Sequence, residues 1–140
     1  MRIEDYLVIS PHLKNAKAVV TLECTVISHG LPYPANLQTA QALEKTVSEY
    51  GAIPATIALL NGKIKIGLEA ADLEELATSK SVAKVSRRDL PVILANKSAG
   101  ATTVAATMIA AHLAGIQVFG TGGLGGVHRG ASTTLIYRLI

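Results

Sequence analysis

Ile53-Pro-Ala-Thr-Ile-Ala-Leu-Leu60, followed by Asn61-Gly62 and then Lys63-Ile-Lys-Ile66, is the stretch of this sequence that decides the fold. Its first part is a short, mostly apolar run of strand length, broken only at its start by Pro54. Asn-Gly is a strong hairpin signal, because both central residues of a type I′ turn need positive φ. Beyond the turn Lys63 and Lys65 alternate with Ile64 and Ile66. The returning strand is therefore predicted to bury one face and solvate the other, and the sheet to be mixed.

Outward from the hairpin the pattern alternates between strand and helix. Ala18 to Cys24 reads as a buried strand, and Gly30, Pro32 and Pro34 end the segment after it. Leu37, Ala40, Leu43, Val47 and Tyr50 recur at helical spacing with Glu44 and Glu49 on other faces, and Gly51 stands where a C-terminal cap belongs. On the other side, Asp72 to Lys80 reads as a short amphipathic helix bearing Leu73 and Leu76, and Val82 to Val85 as a brief strand. Ser86-Arg-Arg-Asp89 has the spacing of a capping box, with Pro91 limiting the helix that follows. Ala101 to Ala114 is predicted to be a central helix, apolar almost all round and ended by Gly115; Ile116 to Phe119 is then a strand. No repeat, low-complexity segment or linker interrupts the chain, so an α/β domain is expected.

Composition bounds the function. At 140 residues and 49% apolar, carried by Ala, Val, Ile and Leu, the chain is one domain or part of one. The lone Cys24 excludes an internal disulfide, and without CxxC or a close His pair there is no zinc signature. The opening Met-Arg-Ile-Glu-Asp-Tyr has charges where a signal peptide needs an apolar core, which points to the cytoplasm. Ala99 to Phe119 has nearly the length of a membrane span, but threonines, glycines and Gln117 dilute it, and a buried helix followed by a strand fits better. Scattered basic residues and five aromatics offer nucleic acid neither a patch nor a stacking platform.

Three features carry chemistry. The run Gly120-Thr-Gly-Gly-Leu-Gly-Gly-Val-His-Arg-Gly130 holds six of the twelve glycines, and Thr121, His128 and Arg129 add donors to main-chain N–H groups that can turn toward one anion. Residues 1–89 carry ten basic and ten acidic side chains, whereas residues 90–140 carry Lys97, Arg129 and Arg138 and no acid, so the net +3 sits with the loop. A flexible surface loop is the alternative. Glu23, the only acid between Asp5 and Glu44, stands at the end of an apolar strand, where ionisation is costly without a partner; it is a candidate acid, or else an edge residue paired with a lysine. In Lys84-Val-Ser-Arg-Arg-Asp89, Lys84 is the candidate ligand contact, while Arg87, Arg88 and Asp89 suit a cap and its salt bridges. Gly120-x-Gly-x-x-Gly125 imitates a dinucleotide fingerprint, but no helix starts in the loop and no acid follows for a ribose. Ser28-His29 lacks a nucleophile elbow.

Several ordered blocks together resemble the N-terminal half of the pseudouridine-5'-phosphate glycosidases, or IndA-like family. They are Leu22-Glu23-x-Thr25-x-Ile27-Ser28-His29-Gly30, Pro32-Tyr33-Pro34, Gly51-Ala-x-Pro-Ala-Thr-Ile57, Lys84-Val-Ser-Arg-Arg-Asp-Leu-Pro91, Gly100-Ala-Thr-Thr-Val-Ala105 and Gly122-Gly-x-Gly-Gly-Val-His-Arg-Gly130. The resemblance implies an α/β/α sandwich with a mixed sheet, assembled as a homotrimer. The implied reaction cleaves the C–C glycosidic bond of pseudouridine 5'-phosphate to uracil and ribose 5-phosphate. A lysine opens the ribose as a Schiff base, a glutamate donates a proton and manganese assists. Glu23 matches the proton donor. Lys84 and Val104 match substrate-binding positions, Val104 with Thr103 at a helix start, and His128 belongs to the loop.

The resemblance also carries departures. Family members are about twice as long, so residues 1–140 are expected to be the N-terminal portion of a single truncated domain. Ile136 stands at the register of the metal ligand and cannot bind manganese, and no lysine occupies the nucleophile's motif. Two functions follow as expectations: the glycosidase itself, or a catalytically dead remnant that binds a sugar phosphate or pairs with a full-length subunit. A cut sheet with the apolar Leu135, Ile136, Leu139 and Ile140 is expected to self-associate.

Overall fold

The hairpin forms as its sequence dictates: β3 (Ile53–Leu60) and β4 (Lys63–Ile66) pair antiparallel, from Ile57↔Ile66 to Leu60↔Lys63. Asn61 and Gly62 turn the chain with φ of 53° and 73°. The structure, a computed structural model, describes residues 2–125. His128, Arg129, Ile136 and the apolar run from Leu135 to Ile140 lie outside the described residues.

Five further strands build on the hairpin, giving seven among the described residues. β1 (Leu7–Ile9) adds parallel to β4. On the other edge of β3, β2 (Val19–Leu22) runs parallel to its first half and β7 (Val118–Gly120) runs parallel to β2. Further along that same edge, β6 (Gly100–Thr102) pairs antiparallel with Ala58 and Leu59, and β5 (Ala83–Val85) pairs parallel with β6. The sheet is mixed, as predicted, and β2 and β6 meet carboxyl end to carboxyl end.

Helices cover both faces. Ala55, Ile57 and Leu59 of β3 pack with Leu90 and Leu94 of α4 (Leu90–Ala95) and with Ala106, Ala110 and Ala111 of α5 (Val104–Leu113). Ala58 and Leu60 point the other way, toward Ile27 of α1 (Thr25–His29), Ala40 of α2 (Ala35–Glu49) and Leu73 and Leu76 of α3 (Ala70–Thr78). The alternation of β3 thus feeds two cores, and the layers are helix, sheet, helix.

The structure corrects several expectations. Gly100–Thr102 is a strand, and the helix expected from Ala101 starts only at Val104. Ladder partners on β3 outweigh the helical pattern there, and a Cβ on Gly100 would stand 2.5 Å from Val85 Cγ2, so only glycine lets β5 and β6 approach. That helix is apolar almost all round, as its sequence reads, but not buried all round, since Met108 is exposed. Lys65 is not freely solvated but clamps Asp72 of α3 at 2.6 Å. Leu43 and Tyr50 of the expected apolar stripe are exposed. The Ala99 to Phe119 run divides into strand, helix and strand, and among the described residues no helix is long and apolar enough to cross a membrane.

Glu44, expected on an outer face, turns inward and accepts a hydrogen bond from Thr56 Oγ1 at 2.5 Å. Burial pushes its carboxyl above the ordinary 4.5, against the lowering effects of the Thr56 hydrogen bond and the nearby His12. A carboxyl that binds its proton more tightly when folded stabilises the fold at acid pH, and that contribution is lost as pH rises through the folded pKa. Glu44→Gln keeps an acceptor for Thr56 without the buried charge. It is expected to melt higher than the parent at pH 7 and to lose that advantage as pH falls below about 4.5. Thermal melts at the two pH values check it, and a lower melting temperature at pH 7 would contradict it.

Candidate active site

The head-on meeting of β2 and β6 opens a crevice at the carboxyl ends of β2, β5, β6 and β7, the place where α/β sheets seat ligands. The junction is tied by Thr102. Its Oγ1 donates to the Ile57 carbonyl at 2.6 Å and accepts from Thr107 Oγ1 at 2.9 Å, its N–H donates to Cys24 Sγ at 3.1 Å, and its carbonyl accepts from Thr25 Oγ1 at 2.7 Å. Cys24 is fully buried, and burial pushes its thiol up to about 11, so it stays an inert neighbour of Glu23.

The crevice is a cleft of about 750 Å³, within the range of small-molecule sites. Glu23 enters it one residue past β2, Lys84 from β5, Thr103 and Val104 from the start of α5, and Gly120 to Gly123 with Gly125 from the loop after β7. Every sequence-predicted site residue among the described ones is therefore in one place. His128 lies outside the described residues. Arg87 and Arg88 do not line the cleft. Instead Asp89 Oδ2 caps the Ser86 N–H at 2.9 Å and Arg88 pairs with Asp89 at 3.5 Å, the cap arrangement expected from their spacing.

Each group is prepared differently. Glu23 is half-buried, and its partner is a threonine rather than a lysine: Thr121 Oγ1 donates to Oε1 at 2.6 Å. Thr103 occupies the N-cap of α5, yet its hydroxyl caps nothing and is buried without a hydrogen-bond partner. A threonine at this position ordinarily satisfies a first-turn N–H; here the hydroxyl lies buried beneath the cleft wall and makes no such cap. The first-turn N–H groups of α5, which have no intrahelical acceptor, and the exposed Lys84 ammonium are the cationic and donor groups on this side of the cleft. A Cβ on Gly122 or Gly123 would meet nothing within 4 Å. Packing inside the described chain does not demand glycine there, and the bare backbone lies open to the cleft.

Several lining residues escaped the sequence reading. Ser28 and His29 part company on α1: Ser28 Oγ donates to the Leu76 carbonyl at 2.9 Å, while His29 faces the cleft with Thr25, Val26 and Gly30. Leu43, Thr46 and Val47 of α2 form a further wall with Val20 and Leu22. The signal was present as helical spacing, i, i+1, i+4 and i+5 on α1 and i, i+3 and i+4 on α2, which periodicity alone assigns to a core. Among the described residues Glu23 is the only carboxylate lining the cleft, and no three His, Cys, Asp or Glu side chains cluster to hold a metal, so these residues do not fit manganese.

Comparison with known proteins agrees with the geometry. The model of the family described as indigoidine synthase A like protein matches residues 8–136. The chain is 58% identical over 137 residues to a pseudouridine-5'-phosphate glycosidase of Geobacillus kaustophilus, covering 95% of this chain and 46% of that protein. It is 61% identical over 136 residues to the enzyme of that name from Rhodospirillum centenum, covering 94% and 42%. Among solved structures it superposes on the prealnumycin C-glycosynthase AlnA in complex with ribulose 5-phosphate, with a TM-score of 0.77 and 41% identity, over 93% of this chain and 43% of that one. The chain thus spans less than half the length of the relatives it matches.

Proposed function

The chain belongs to the indigoidine synthase A-like family, and from that premise we propose that its cleft carries the acid and the phosphate seat of a site that cleaves pseudouridine 5'-phosphate to uracil and ribose 5-phosphate. The observation that carries this reading is the convergence of Glu23, Lys84, Thr103, Val104 and the glycine loop, from four strand ends, on one cleft. A C–C glycosidic bond has no leaving oxygen to protonate, so the acid must deliver its proton to the base carbon. In this reading Glu23 is that acid. Lys84 and the α5 N–H groups that follow Thr103 and Val104 hold the phosphate, and Leu43, Val47, Val20 and Leu22 offer an apolar wall to the planar base.

The electrophile that a Schiff-base lysine supplies in the family has no counterpart at its motif in residues 1–140, and the described cleft residues do not fit manganese. The proposal therefore gives this chain the proton and the anion site, not the iminium. A homotrimer in the cytoplasm belongs to the same reading, supported by the family resemblance alone.

Incubation of the chain with pseudouridine 5'-phosphate, with and without added manganese, tests it by uracil release. Calorimetry with ribose 5-phosphate tests the anion seat separately. Ribose 5-phosphate binding is the expected result, with uracil release only modestly above the uncatalysed rate because the acid acts without the iminium. Binding without release would leave this chain the sugar-phosphate seat alone, and absence of both from a folded sample would overturn the reading. Lys84→Ala is expected to weaken ribose 5-phosphate binding roughly tenfold and to flatten its salt dependence, since an exposed lysine supplies the lower range of a charge-assisted hydrogen bond. Unchanged affinity would remove Lys84 from the seat.

A further inference from the structure

Among the described residues, Thr121 is the cleft side chain that hydrogen-bonds to the candidate acid. Its hydroxyl has a single hydrogen and two acceptors in range, Glu23 Oε1 at 2.6 Å and the Gly123 carbonyl at 3.2 Å. The shorter contact, to the carboxyl, takes it. The same oxygen accepts from the Gly123 N–H at 3.3 Å, which sets the rotation of the hydroxyl. A chain of hydrogen bonds thus runs from loop backbone through Thr121 to the carboxyl.

We propose that Thr121 is the positioning residue of Glu23: by occupying Oε1 it leaves Oε2 as the oxygen that carries the transferable proton toward the cleft, and it ties that oxygen's aim to the seating of the glycine loop. This inference rests on the reading of Glu23 as the acid. A carboxylic acid presents one O–H, and a donor fixed on one oxygen forces the proton onto the other, so the acid needs no rotation to deliver it. Thr121 itself neither gains nor loses a proton. The loop that approaches the anion is the loop that holds the acid, so a ligand that orders one orders the other.

The test has two arms, because the first needs no turnover. In the intact chain, the Gly123 backbone amide is followed by two-dimensional NMR when Glu23→Ala is introduced into the parent, Thr121→Ser and Thr121→Val backgrounds. The amide is expected to shift in the parent and in Thr121→Ser, and to stay in place in Thr121→Val, where the relay is cut. In the second arm, Thr121→Val is expected to lower kcat for uracil release roughly ten- to a hundredfold with KM within about twofold, and Thr121→Ser to restore most of it. Coupled amides without any uracil release would uphold the positioning role and remove the glycosidase reading. An equal amide response in the valine background, or no rescue by serine in either arm, would overturn the proposal.

Discussion

Glu23→Gln is expected to lower uracil release from pseudouridine 5'-phosphate by about 10²–10⁴-fold, the range that a positioned general acid supplies. Glutamine is nearly isosteric, and its amide oxygen can still accept the hydrogen bond that Thr121 gives to Oε1 at 2.6 Å. What it lacks is an ionisable proton, so the substitution separates proton delivery from positioning. Binding should behave differently. Glu23 is the only carboxylate among the described residues lining the cleft, and removing a negative charge beside an anion seat leaves ribose 5-phosphate affinity unchanged or slightly improved. The paired measurement is therefore kcat by uracil release and Kd by calorimetry on the same sample. Retained turnover would remove Glu23 from the chemistry; a joint loss of turnover and affinity would assign it to substrate binding instead.

The largest effect on stability is expected at the junction of the two strand systems. Thr102 is fully buried and its hydroxyl serves the Ile57 carbonyl and Thr107 Oγ1. Thr102→Val preserves shape and removes both bonds, leaving polar groups in a dry place where each costs about 1–3 kcal/mol when unsatisfied. A total of about 2–4 kcal/mol is expected, or a fall in melting temperature on the order of 10 °C for a domain of this size. Thr102→Ser, which keeps the hydroxyl and loses a methyl, should recover more than half of the loss. Because β2 and β6 carry Glu23 and Thr103 to the cleft, the valine variant should weaken ribose 5-phosphate binding as well. A valine variant that melts within a degree or two of the parent would show that the junction is held by packing alone.

The hairpin was legible in the sequence because every signal for it is local. Positive φ at Asn61 and Gly62, the alternation of Lys63 to Ile66 and the length of Ile53 to Leu60 are properties of neighbouring residues. So were the Ser86 to Asp89 cap and the identity of Glu23 and Lys84 as unusual charges in apolar strands. What local signals could not reach was partnership. Ala101 and Thr102 read as the opening of a helix, and join Gly100 in a strand because Ala58 and Leu59, remote in sequence, present main-chain partners that no helix turn there can offer. Glu44 reads as a solvated helix residue until Thr56 is folded beneath it. The pairing of Glu23 with Thr121 spans most of the described chain. Residue types and their periodicity set the elements, the two-sided core and the chemistry of the cleft. Only the tertiary structure decided which strand ends meet head-on, since ladder hydrogen bonds join residues whose proximity no local sequence pattern encodes.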